Sequence, residues 1–73
     1  MTGRFVPRRG DVLRSPSGQE YVLDHVERRD DDADRYRLRS VQHGVLLSGR
    51  YTVDALNRSL VPTGRTVDLD AEV

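Results

Sequence analysis

Residues 35–41 read Arg-Tyr-Arg-Leu-Arg-Ser-Val and alternate between charged and apolar side chains. A β-strand sends successive side chains to opposite faces, so this run joins an apolar face, Tyr36 and Leu38, to a row of three guanidinium groups, Arg35, Arg37 and Arg39. One face needs a core; the other is left for solvent or a partner. This pattern predicts the central strand of a small sheet protein and marks its most informative surface.

The neighbouring segments agree. Gly10-Asp11 opens a strand over 11–15, with Val12 and Leu13 as its apolar content. In Ser15-Pro16-Ser17-Gly18, Pro16 presets φ at the first central position of a turn, and Gly18 can take positive φ. A second strand spans 19–27, rich in β-formers at Tyr21, Val22, Leu23 and Val26. Its faces are ambiguous: Tyr21, Leu23 and His25 share one side, Val22, Asp24 and Val26 the other. Tyr21 and Leu23 are assigned inward, because an unpaired Asp24 is costly to bury. Val22 and Val26 then lie under the N-terminal arm or a terminal segment.

Residues 28–34, Arg-Arg-Asp-Asp-Asp-Ala-Asp, form a solvated loop. After the 35–41 strand, Gln42-His43-Gly44 is a tight turn, with Gly44 at positive φ. Val45-Leu46-Leu47-Ser48 is a short apolar run of the kind buried on both sides, and Gly49 permits a bend. The period then changes. Val53, Leu56 and Leu60 fall at i, i+3 and i+7, one face of a helix over about 52–60 with Thr52 as N-cap, Asp54 in its first turn and Arg58 near its end. Pro62 stops it.

These readings divide the chain into a flexible basic arm (1–9, with Arg4, Arg8 and Arg9), a small β-domain (10–62) and an acidic tail or closing edge strand (63–73). Phe5 and Val6 of the arm are placed to pack on the end of the domain.

The 73 residues suffice for one domain. A chain of this size buries only about 60% of its unfolded surface, so its net stability is small. It has no cysteine, so no disulfide and no thiolate metal site supports it. No stretch has the pattern of a signal peptide, and the longest apolar run, 45–47, is far too short to span a bilayer. A cytoplasmic location without membrane contact is the expectation. All twelve basic residues are Arg and nine of the twelve acids are Asp. Such usage is expected of a GC-rich prokaryotic genome or its virus.

Net charge is zero but uneven: +2 over residues 1–29, −4 over 30–34, +4 over 35–58 and −2 over 59–73. Patterning of this kind bears on partners rather than on fold.

The Gly10-Asp11-Val12-Leu13 opening, the strand-turn-strand through Ser17-Gly18-Gln19-Glu20-Tyr21-Val22 and the late helical turn resemble small SH3-like barrels, including KOW and Tudor-type modules, over about residues 10–62. The resemblance implies an all-β, SH3-like barrel of four to five short antiparallel strands with the helix ahead of the last strand. Arg65 to Leu69 would then be the fifth strand. Barrels of this kind host RNA, DNA, peptide and protein-interface roles, so the fold does not choose among them.

Several chemistries fail on their residues. No serine lies in a nucleophile turn, and only His25 and His43 offer an imidazole base. Gly44 and Gly49 have P-loop spacing, but Arg50 and Tyr51 replace the Lys and the Ser/Thr. Asp30, Asp32 and Asp34 begin like a calcium loop, but Arg35 stands where the turn glycine belongs and Val41 where the bidentate Glu belongs. Neither an enzyme, a cofactor, a metal nor a small-molecule substrate is expected.

What remains is a binding module. Guanidinium groups about 7 Å apart on one strand face roughly match phosphate spacing. Nucleic-acid contact is expected through Arg35, Arg37, Arg39 and Arg50, with Tyr36 and Tyr51 stacking bases if exposed and Arg8 and Arg9 as an auxiliary arm. The alternatives are a protein partner or a homodimer joined through an exposed sheet edge or the 45–47 strand, and a plain solvated face whose arginines pair with acids such as Asp24 or Glu20.

Overall fold

A computed structural model describes residues 5–69; Arg4 and residues 70–73 of the acidic tail lie outside them. The elements in order are β1 (Asp11–Arg14), β2 (Glu20–Glu27), β3 (Arg35–Ser40), α1 (Val53–Ser59) and β4 (Val61–Thr66). They form one antiparallel sheet in the order β3-β2-β1-β4. The all-β expectation holds, and β1, β2 and β3 fall within a residue of the predicted strands. The closed barrel does not appear: the sheet is open, with β3 and β4 at opposite ends of it.

The expected strand at 45–48 is an edge cover instead. Residues 45–51 run beside β3 and touch it at two isolated bridges, Arg39 with Leu46 and Tyr36 with Tyr51. Backbone bonds include Leu47 N to Leu38 O at 2.8 Å and the reciprocal Tyr36–Tyr51 pair at 2.7 and 3.0 Å. Between the bridges, β3 advances three residues while its neighbour advances five. The two surplus residues break the ladder beyond Leu46. The run is not buried on both sides: Val45 is 57% exposed, while Leu47 packs on the core.

The last strand also differs from expectation. It starts at Val61, directly after the helix, rather than at Arg65. Pro62 lies within it, opposite Leu13. An edge strand tolerates proline because one of its two sides donates to no neighbour. Between Leu13–Pro62 and Asp11–Thr66, β1 advances two residues and β4 four, and Gly64 absorbs the bulge at φ +82°.

A second bulge decides which side chains of β2 enter the core. Leu23 pairs with Leu38 but His25 with Arg37, so Asp24 and His25 together oppose one residue of β3. The extra residue resets the alternation. Tyr21 and Leu23 face inward as expected. Beyond the bulge, Val26 turns in against the core and His25 is exposed, the reverse of their predicted sides. The gain is physical: a valine packs partly buried against the core, and Asp24 stays outside where it meets an arginine.

The core comprises Leu13, Leu23, Tyr36, Leu38, Leu56 and Leu60, with Leu13 and Leu23 fully buried. Burying each such leucine contributes roughly 1.5–3 kcal/mol. The helix brings Val53, Leu56 and Leu60 to this core on the predicted face, and Thr52 Oγ1 accepts from Ala55 N at 3.2 Å. Val12 and Val22, paired across β1 and β2, are buried on the opposite face of the sheet.

Residues 5–9 lie against the domain. Phe5 packs beside the core, its N–H donates to Asn57 Oδ1 at 2.9 Å, and Asn57 Nδ2 donates back to Phe5 O at 2.8 Å. Pro7 is buried. Gly10 follows at φ +97°, where its N–H donates to Leu23 O and its carbonyl accepts from Val67 N.

Candidate binding surfaces

The arginine row lies on the outer face of β3, as the alternation predicts. Each member is engaged by its own chain. Arg35 Nη2 meets Asp32 Oδ2 at 2.9 Å and Nη1 donates to Ala33 O. Arg37 Nη2 donates to Leu47 O at 3.0 Å, and Nη1 lies 3.7 Å from Glu27 Oε2. Arg39 Nε donates to Asp24 Oδ1 at 3.0 Å and Nη1 to Gly44 O at 2.9 Å. Arg50 Nε reaches both oxygens of Glu27, at 3.1 and 3.2 Å. The guanidinium groups thus also serve backbone carbonyls of the 44–47 edge cover and tie it to β3.

Glu27 is the centre of this face, receiving Arg50, Arg29 and Arg37. Partial desolvation pushes its pKa up, but the Arg50 hydrogen bond and the charges of Arg50, Arg37 and Arg29 outweigh it and hold the carboxyl below its ordinary range. The Ala33 backbone N–H, with Arg35, likewise holds Asp32 low. Five arginines (29, 35, 37, 39 and 50) therefore share three acids (Asp24, Glu27 and Asp32), leaving the face an excess of two positive charges.

The proposed aromatic partners separate. Tyr36 is a core residue, 6% exposed, so the condition for stacking a base is not met. Tyr51 is half-buried and faces a different surface, described below. Arg8 is exposed, its backbone N–H held by Asp11 Oδ2. Arg9 Nε donates to the Asp24 carbonyl at 2.9 Å. The structure therefore joins Arg37 and Arg50 through Glu27, and brings Arg39 and Arg9 to the same residue, Asp24.

The acidic loop turns toward arginines: Asp34 pairs with Arg28 and Asp32 with Arg35. Among the described residues no three His, Asp or Glu side chains converge as metal ligands, and no helix is long and apolar enough to cross a membrane.

A second surface is an apolar trough. It lies between α1, the β1–β2 turn and the edge cover, with Leu38 and Leu56 in its floor and Pro16, Tyr21, Leu47 and Tyr51 in its walls. The central space is about 300 Å³, and no charged side chain lines it. Past Tyr21 and Leu47 the trough continues to His43 and Val45. Past Pro16 and Leu60 it continues to Arg14, Arg58 and Val61. Sequence reasoning missed this surface. Its residues come from four separate segments, and Tyr21 and Leu47 carry no sign that they line an open wall rather than a closed core. Glu27 and Asn57 were missed for the same reason, since only tertiary placement gives them their partners.

Comparison with protein-family models, with curated proteins and with solved structures finds no match for this chain.

Proposed function

We propose that the chain is a non-enzymatic binding module whose partner is a protein, engaged through the apolar trough. The supporting observation is a contrast. Every arginine of the β3 row has an acid of its own chain, whereas a channel walled by Tyr21, Tyr51, Pro16 and Leu47 is left open by the described residues. Uncovered concave apolar surface with a few polar groups is where binding energy is concentrated in proteins, and tyrosine suits such walls. Edge-to-edge pairing is a weaker route to a homodimer. The edge of β3 is covered, and β4 carries Pro62 and a bulge, two devices that blunt a strand edge. A kinship with small SH3-like barrels belongs to this proposal, supported by the helix that directly precedes the last strand.

A second reading, nucleic-acid contact, is favoured by one observation: three arginines share Glu27, so the face keeps an excess of positive charge. One experiment separates the two. A photo-crosslinking side chain is placed at Val45, on the trough, or at His25, beside the arginine row, and irradiated in the source cells. Protein adducts from Val45 with none from His25 are expected. Nucleic-acid adducts from His25 would overturn the protein reading.

A further inference from the structure

We infer that the trough takes a peptide segment of a partner protein in which apolar side chains adjoin aspartate or glutamate. This rests on the protein-binding reading above and names the chemistry of the bound segment.

Three observations carry it. The centre of the trough is lined without a charge and floored by Leu38 and Leu56, so what fills it is apolar. Among the described residues, no aspartate or glutamate lines the centre or either extension. The end beyond Leu60 is instead bordered by Arg14 and Arg58.

The charge there is not cancelled. Arg14 shares the single carboxylate of Glu20 with Arg65, so those three groups keep one positive charge. Arg58 is exposed in the last turn of α1, and no acid of the described residues pairs with it. Among the described residues the lip thus carries the unpaired charge of Arg58 and part of a second from Arg14, beside an apolar channel. Rim charge of this kind sets which partner is accepted and in which direction it lies. The complement is an apolar stretch running into acids at the Arg58 end.

The chain's own acidic loop does not meet this description. Residues 30–34 offer four aspartates and nothing more apolar than Ala33, and Asp32 and Asp34 are already paired. A second copy presenting that loop would leave the channel empty.

The test is a selection of random twelve-residue peptides displayed on phage against the full chain, followed by titration of the best synthetic peptide. Enriched sequences should place apolar residues on one side of a cluster of Asp or Glu. Val45→Glu should abolish binding. Arg58→Glu should weaken it at least tenfold, and Arg58→Gln by less. The same peptide with its acids changed to lysine should prefer Arg58→Glu. Val45 and Arg58 are both exposed, and equal melting temperatures confirm that the variants fold. Enriched peptides that need Val45 but show no acidic preference and ignore Arg58→Glu would overturn this inference and leave the protein-binding reading intact. No enriched peptide, with no protein adduct at Val45, would overturn both. Self-association abolished by Val45→Glu would assign the trough to a second copy and also overturn the inference.

Discussion

The clamp between Asn57 and Phe5 makes the N-terminal segment part of the domain, and removing it has a calculable cost. Asn57 makes two hydrogen bonds to the Phe5 backbone, 52 positions away, and a third to Val53 O of its own helix. Each inter-element bond contributes about 0.5–1.5 kcal/mol net, so Asn57→Ala forfeits about 1–3 kcal/mol. Alanine returns up to about 0.7 kcal/mol as the better helix former. With the full return the expected loss is therefore about 0.3–2.3 kcal/mol, against the roughly 4–11 kcal/mol usual for 73 residues. Phe5→Ala removes a half-buried ring and should cost about 2 kcal/mol, near half the value for a fully buried one.

The informative quantity is the coupling. If the ring is seated by the clamp, the double variant loses less than the sum of the single ones, by at least about 0.5 kcal/mol. Urea unfolding followed by circular dichroism at a fixed pH measures all four chains. Additivity within about 0.3 kcal/mol would mean that Phe5 packs without the clamp, and the reasoning would fail.

Three further outcomes follow from the same structure. Gly10→Ala places a Cβ 2.5 Å from Val67 O at a positive φ, so its melting temperature should fall by several degrees, and an unchanged value would refute the close approach. Glu20, Glu27 and Asp32 have folded pKa values below their unfolded ones, near 4, so their stabilisation is complete above about pH 5 and is lost as pH falls through the folded values. Thermal midpoints should drop on acidification, and Glu27→Gln should show a shallower drop; an equal drop would remove Glu27 from the account. The pairs at the arginine face are partly exposed and screened by salt, so the advantage of wild type over Glu27→Gln should narrow at high ionic strength.

How much of this was legible in the sequence depends on the range of the signal. Local signals were read correctly. The alternation at 35–40 gave β3 and its two faces, Gly18 and Gly44 do take positive φ, and Thr52 caps a helix that buries Leu56 and Leu60. Signals that need a partner strand were not. The bulge at Asp24 is a property of the β2–β3 pairing, so period-two reasoning sent His25 and Val26 to the wrong sides. An apolar run such as Val45-Leu46-Leu47 has no direction in it, and only its place along the edge of β3 shows that Val45 is exposed while Leu47 packs on the core. Pro62 was read as a helix stop because its place on an edge strand depends on β1. The arginine row was visible as charge and Asp24 as an acid for it, which Arg39 does meet, but Glu27, 23 positions from Arg50, was not.

The central claim is that the guanidinium groups of β3 are occupied within the chain and bind no polyanion. Fluorescence anisotropy of a labelled single-stranded RNA, titrated with the protein at about 50 mM salt, tests it directly. The account predicts no saturable rise, because each of the four arginines is held by an acid of its own chain and the two surplus charges of the face engage few phosphates. A saturable curve that weakens about fiftyfold by 200 mM salt, the dependence expected of four phosphate contacts on a single strand, and that vanishes in Arg37→Glu would contradict it.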